Sequence, residues 1–349
     1  MEKKQYVGLD IMKYISAIFV VAIHTAPFIE INETFNVLIV SLIARIAVPF
    51  YFVCSSFLFF RKIDFSKGWW DEDNLSHYKK YVFHLLKLYL IWCLLYFVFN
   101  ISMWIQGGFN IMSLVRYVRD LFFTGGFYHL WFLPALVVGT SIVYFLHTYM
   151  RPAMMFLITF ILYIIGMLFN LYGTAMNDIP LINTIFHLYQ TIFVTTRNGV
   201  FFAPIFIVIG ANMPLIQRRI NGKKAIVPIF VFAILLIIEG MSLYFNHMLN
   251  DLSCMYLSLL PFILYFFTWL LSLDLQSSFN DVAMRSQSIL IYVSHIAVSL
   301  IIKALSDLCG VYIGNFGWFI LTLIGSMLLA RFLYFVSLKP NGKILKNLY

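Results

Sequence analysis

Apolar residues run along this chain for about twenty positions at a time, separated by short intervals that carry most of the charge. A hydrocarbon core about 30 Å thick takes about 20 apolar residues at 1.5 Å each. Ten runs have that character, near 7–29, 34–60, 81–105, 129–149, 153–172, 197–214, 225–245, 253–273, 287–306 and 316–336. They are continuous and do not alternate, which excludes a β-barrel. The pattern predicts an all-α integral membrane protein with about ten transmembrane helices. The stretch 180–200 fits least well, being polar and aromatic. Residues 110–123, NIMSLVRYVRDLFF, read as an amphipathic helix lying in the interface, and 274–286 as a second on the opposite side.

Composition sharpens the picture. Of 349 residues, 62% are hydrophobic and only 11% charged, against about 25% charged in a soluble domain. A soluble enzyme, a nucleic-acid-binding domain and a disordered chain are excluded. The net charge of +9 then reports orientation. With the N-terminus placed inside, sixteen of the 24 Lys and Arg residues fall on the cytoplasmic side and three (Arg116, Arg119, Arg197) on the outer side. The other five, Lys13, Arg45, Lys87, Lys303 and Arg331, lie within spans. Both termini are therefore predicted cytoplasmic. Asp10, Lys13 and His24 interrupt the first span, so it does not read as a cleaved leader. With no internal repeat or Gly/Ser linker, one transmembrane domain over 1–349 is expected. The short tail after Ser337 suggests no appended soluble domain. Cys54, Cys93, Cys254 and Cys309 lack CxxC spacing and read as small core residues, and no metal is expected.

Ionisable residues at bilayer depth cost a few kcal/mol each, so they usually face a bundle interior or a wet cavity. Lys13 and His24 are eleven residues apart, three turns plus about 20°. They share one face and are separated by about 16 Å along the axis. Asp10 is one turn below Lys13 and in pairing range. Lys13 either snorkels to the headgroups or serves the site; His24 either bonds a neighbouring helix or does chemistry. Arg45 lies near mid-span, cannot deprotonate and must find partners. Lys80, His84 and Lys87 form a basic stripe at i, i+4 and i+7, suited to phosphates or explained as flanking charge. Ser288, Tyr292 and His295 share a face in the ninth run, where interhelical hydrogen bonding is the plainer alternative. Glu239 reads equally as a carboxylate partner for a cation or as a protonated packing group.

These residues carry a resemblance. The Lys13-x10-His24 spacing within LDIMKYISAIFVVAIHTAPF resembles the opening helix of the acyltransferase-3 family of integral membrane acyltransferases. The run from Arg45 through Val48-Pro49-Phe50 to Ser55-Ser56-Phe57-Leu58, the HLWFLPAL segment from His129, and Ser288 through His295 are similar to later segments of that family, in order. The family's RxxR pair is replaced here by His84-Leu-Leu-Lys87. Arg197-Asn198-Gly199-Val200-Phe201-Phe202 and the run from Lys87 to Trp92 resemble one sub-branch, the membrane half of the vancomycin-resistance serine/alanine racemases.

The resemblance implies transfer of an acyl group, usually acetyl, from cytoplasmic acyl-CoA to a hydroxyl of an extracytoplasmic cell-envelope glycan, in a bacterial plasma membrane. His24 would be the general base, with Arg45 positioning the donor or stabilising the oxyanion. Lys13, Asp10, His84 and Lys87 would serve the acyl-CoA. Tyr292 and His295 would line the cavity, and His129 and Trp131 its outer mouth, although Trp131 also suits an interfacial belt. Membrane lipids are the other expected contact; nucleic acid is not expected. The sub-branch implies an alternative, an amino-acid transporter for serine-like substrates.

Overall fold

The computed structural model describes residues 6–173, 180–276 and 281–349. Among them there is no strand. Eight helices among the described residues are long and apolar enough to cross a membrane. They are Val7–Thr25, Glu33–Phe60, Glu72–Gly107, Ile111–Leu146, Pro152–Leu171, Gly222–Phe245, Ala283–Cys309 and Asn315–Ser337. The other two expected runs are also helical but shorter. One is α12 (Leu259–Ser272) and the other is split into α9 (Ala203–Ala211) and α10 (Met213–Arg219). Within the span Ile111–Leu146, the expected amphipathic stretch forms its first part, α5 (Ile111–Phe123), none of whose side chains is buried. The poorly fitting stretch holds α8 (Pro180–Phe193) and then loses regularity until Phe202. The second interfacial expectation, 274–286, lies partly outside the described residues. Cys54, Cys93 and Cys254 are buried as expected of core residues, whereas Cys309 is exposed.

The chain divides into two compact units. The first comprises Met1–Tyr51, Leu215–Tyr244 and Ser258–Tyr349. Its framework is α1 (Val7–Thr25) packed against α13 (Asp281–Cys309) and α14 (Asn315–Ser337), which a short connection makes an antiparallel pair. Leu9, Lys13, Ser16 and Val20 recur at helical spacing on the buried face of α1. The helix stops at Ala26, left-handed at φ 45°, whose N–H closes on the Ala22 carbonyl, and Pro27 cannot continue it.

The span Glu33–Phe60 is not uniform. It begins as α2 (Glu33–Asn36), capped by the Asn32 side chain. It widens into a π-helical stretch over Val37–Ile43, tightens to a 3₁₀ turn at Ala44–Ile46, and resumes as α3 (Ala47–Phe60). The sequence gives a cause. Pro49 has no N–H for the carbonyl of Arg45, four residues back, and its ring crowds that carbonyl.

Two carboxylates close helix ends in this unit. Glu239, on α11 (Gly222–Phe245), accepts from the Ser258 N–H at 2.9 Å, at the N-terminus of α12. Glu239 therefore acts as an acceptor at a helix start, a role that neither expected reading named. Glu30 accepts from the Tyr312 hydroxyl at 2.5 Å and from the Asn315 N–H at 2.9 Å, at the start of α14. Those two donors hold the Glu30 carboxyl below its ordinary 4.5, the tyrosine hydroxyl contributing most. Because the folded value is lowered, this contact stabilises fully above about 4.5 and is lost as pH falls through the folded value. Glu30→Gln is therefore expected to lower the thermal midpoint of the purified protein at pH 7. The gap to the native protein should shrink as the pH is taken below 4; an equal gap at both pH values would remove the carboxylate as its source.

The second unit comprises Phe52–Pro214 and Phe245–Leu257. It contains α4 (Glu72–Gly107), α6 (Phe132–Leu146), α7 (Pro152–Leu171) and the wholly buried α9. Gly139 lets α6 approach α9, since a Cβ there would meet Ile207 and Ala203. Asn170 ties α7 to the segment 252–255, donating to the Leu252 carbonyl and accepting from the Cys254 and Met255 N–H groups.

Candidate active site

The first unit assembles six of the ten residues singled out above. Asp10 and Lys13 sit one turn apart on α1, and Lys13 donates to Asp10 at 3.1 Å. Asp10 also accepts a forked pair from Arg285 of α13, Nε to Oδ1 at 3.1 Å and Nη2 to Oδ2 at 2.9 Å. Asp10 is 2% exposed and Lys13 8%, so Lys13 is not snorkelling into a headgroup layer. Two cations share the Asp10 carboxylate. Arg285 was not anticipated as a site residue. In the sequence it is one more basic residue flanking a span, and nothing local reveals a partner 275 positions away.

Three turns further along α1, His24 meets His295 of α13, ring centroids 5.2 Å apart and planes inclined by 33°. His295 is fully buried. Its Nδ1 lies 2.7 Å from the Tyr292 carbonyl and 3.3 Å from that of Ile291. Carbonyl oxygens only accept, so Nδ1 carries the proton, and in the neutral ring the basic lone pair is on Nε2. Between the charged cluster and the histidine pair lie two tyrosines. The Tyr51 hydroxyl donates to the Lys13 carbonyl at 2.6 Å, its ring is 6.3 Å from that of Tyr292, and Tyr292 is 6.5 Å from His295. Ser288, Tyr292 and His295 are all buried on one face of α13. Tyr51 was not foreseen either, because its immediate neighbours, Phe50, Phe52 and Val53, are apolar and offer no periodic polar signal.

Arg45 is buried on the 3₁₀ turn Ala44–Ile46, which packs against α1. A guanidinium in that position carries a fixed positive charge and planar N–H donors into the interior.

The remaining residues belong to the second unit. His84 and Lys87 are exposed on α4, as is Lys80, while Leu85, Leu88 and Tyr89 on the same turns are buried. The basic stripe therefore occupies the outward face of α4. His129 and Trp131 are on a 3₁₀ turn, Tyr128–Trp131, that leads into α6. Both are buried. His129 stands edge-on to Tyr96 at 4.8 Å, and Trp131 lies against Phe202 at 5.9 Å. The guanidinium of Arg197 rests over the Trp131 ring, 4.6 Å from its centroid. The indole is thus packed beneath an arginine.

Comparison with known proteins places these features. Two amino-acid racemases of Enterococcus faecalis are similar. One is 31% identical over 272 residues, covering 77% of this chain and 36% of the relative. The other is 27% identical over 343 residues, covering 97% and 47%. A serine/alanine racemase of Enterococcus gallinarum is 28% identical over 263 residues, covering 74% and 36%. This chain thus spans less than half the length of each of these relatives. No solved structure matches it. The model of the acyltransferase-3 family, described as an acyltransferase domain, matches residues 6–335, from just before α1 almost to the end of α14, and the chain belongs to that family of membrane proteins.

Proposed function

We propose that this chain is a membrane-bound O-acyltransferase of a bacterial plasma membrane, moving an acyl group, acetyl in the first instance, from cytoplasmic acyl-CoA to a hydroxyl of an extracytoplasmic cell-envelope glycan. The observation that carries the reading is the pairing of His24 with His295, three turns along α1 from the Lys13–Asp10–Arg285 cluster. The two cations of the cluster suit the anionic nucleotide end of the donor, and the distance along α1 suits its long thin arm. The neutral His24 imidazole takes the proton of the acceptor hydroxyl as its oxygen attacks the thioester carbonyl. The C–S bond then breaks, the new ester leaves, and the imidazolium returns the proton to the departing thiolate. Arg45 offers N–H donors for the negative charge that develops on the carbonyl oxygen. His295 holds its neighbour's ring in orientation, with Tyr292 beneath. His84 and Lys87, on the outward face of α4, would serve the donor only by meeting its phosphates from that face.

A second reading is supported by the relatives. They are named as racemases, and this chain matches less than half of each. In that case the polar line from Lys13 to His24 belongs to a path for a serine-like amino acid.

Purified protein in liposomes, supplied with acetyl-labelled acetyl-CoA, separates the two. The expected result is thioester turnover, as slow hydrolysis without acceptor and as label transfer with a hydroxylated glycan. Flux of labelled serine with no thioester turnover would replace the acyltransferase reading with the transporter.

A further inference from the structure

The stretch that fits the span pattern least well holds α8, and that helix has three distinct faces. Its 14 residues rise about 21 Å, short of a hydrocarbon core about 30 Å thick, so α8 does not cross it. Leu181, Ile185, Leu188 and Ile192 fall within an arc of about 60°. All four are exposed, between 45% and 71%. About a quarter turn to one side, Phe186, Tyr189 and Phe193 face protein. The Phe186 ring stacks on Phe169 of α7, centroids 4.6 Å apart and planes inclined by 7°. The Tyr189 hydroxyl accepts from the Asn198 side chain at 2.6 Å and donates to the Thr195 carbonyl at 3.1 Å. Phe193 stands edge-on to Phe123 at 5.0 Å. About a quarter turn to the other side of the stripe, Thr184, His187 and Thr191 are exposed.

A helix upright in hydrocarbon has two kinds of neighbour, lipid and protein. An exposed polar face along its length calls for a third, water. Apolar, protein and water faces together suit a helix lying in the boundary layer at headgroup depth. The place of α8 in the fold agrees. Phe169 is two residues from the end of α7, a helix of spanning length that exposes Leu157, Ile161 and Ile165. The ring stack therefore holds α8 where that span meets the headgroups. Residues 180–193 contain no Asp, Glu, Lys or Arg. Attraction to a bilayer then comes from the apolar stripe and not from headgroup charge. A protein partner would find no charged rim around the stripe to orient it.

We propose that α8 is an interfacial helix whose stripe of Leu181, Ile185, Leu188 and Ile192 is inserted among the acyl chains of the leaflet at the C-terminal end of α7. Thr184, His187 and Thr191 then stand in the water of the headgroup layer. The partner is the lipid surface itself, engaged by apolar contact whatever the charge of its headgroups. Arg119 donates to the Thr191 carbonyl at 3.3 Å and ties this helix to α5 within the same unit. This placement goes beyond the acyl-transfer reading and is independent of it, because its test reads position and not turnover.

The test is spin labelling of the full chain in phosphatidylcholine vesicles, in a Cys309→Ser background that removes the exposed native thiol. That background without an added cysteine supplies the blank. Leu188→Cys and His187→Cys are adjacent in sequence but about 100° apart around the helix. The nitroxide at Leu188→Cys is expected to collide with molecular oxygen, which concentrates among acyl chains, and to be shielded from a water-soluble nickel chelate. His187→Cys is expected to show the reverse. The reversal should persist unchanged when phosphatidylglycerol is added to the vesicles. Nickel access at both positions would place the stripe in water. Protection of Leu188→Cys from both reagents would place protein over it, as in a second copy. Either result overturns the proposal, and a reversal seen only with phosphatidylglycerol would overturn insertion by apolar contact alone. Should the labelled variants fail to fold, the unsubstituted protein is photolabelled with a phospholipid that carries a diazirine on its acyl chain. Peptide mass spectrometry should find label within 180–193 as well as on the exposed face of α7; label on α7 alone would overturn the proposal.

Discussion

His24→Ala is expected to abolish acyl transfer while leaving expression, insertion and the thermal midpoint near native. A positioned general base contributes typically 10²- to 10⁴-fold, so the loss should reach about a thousandfold in kcat. His24 is only half-buried at its end of α1, and its removal opens no sealed core. His295→Ala makes the informative comparison, because that ring is fully buried and back-bonded to its own helix. It should lose activity and some stability together. Labelled acetyl-CoA turnover in liposomes, normalised to folded protein, reads both. Turnover in His24→Ala within a few-fold of native would show that another group accepts the proton.

Asp10→Asn is expected to be the most destabilising single change in the first unit. It takes the shared carboxylate away from two cations, one of them, Lys13, buried. Breaking a buried ion pair costs about 3–5 kcal/mol, and the partial exposure of Arg285 reduces this to about 2–3 kcal/mol. The expected signature is a clear fall in thermal midpoint and in yield of folded protein. Lys13→Met in the same chain should recover part of it, since the buried charge that lost its partner is then absent. A midpoint for Asp10→Asn equal to native would mean that the contact between α1 and α13 depends on apolar packing alone. The same variants bear on the donor: Lys13→Ala should weaken acyl-CoA binding, and unchanged binding would confine Lys13 to holding Asp10.

What the sequence disclosed follows from what lipid demands. Apolar runs of spanning length gave the helices, and the periodicity of α1 correctly put Lys13 and His24 on one face. Asp10 was recognisable as a partner for Lys13 because i, i+3 contacts are local. The shared face of Ser288, Tyr292 and His295 was readable for the same reason. What joined these pieces was not readable. Arg285 reaches Asp10, and His295 reaches His24, only through the packing of α13 on α1, which no spacing along the chain encodes. His84 and Lys87 show the converse. Their periodicity is real, but periodicity says only that residues share a face, not whether that face points inward, and here they are exposed. Glu239 was ambiguous because a lone carboxylate in an apolar helix does not announce its partner; the helix start that it caps is nineteen residues away.

The widened stretch Val37–Ile43 gives the second span slack in its helical phase. Stretches of this kind tend to accompany functional sites, and this one ends two residues before Arg45. Losing one residue from an ordinary helix such as Pro152–Leu171 would swing every later side chain by about 100° and turn lipid-facing groups inward. Losing one between 37 and 43 would instead let the ladder close toward regular spacing. This short segment is thus where the chain tolerates a change of length, and where the aim of Arg45 can be retuned without rebuilding α3.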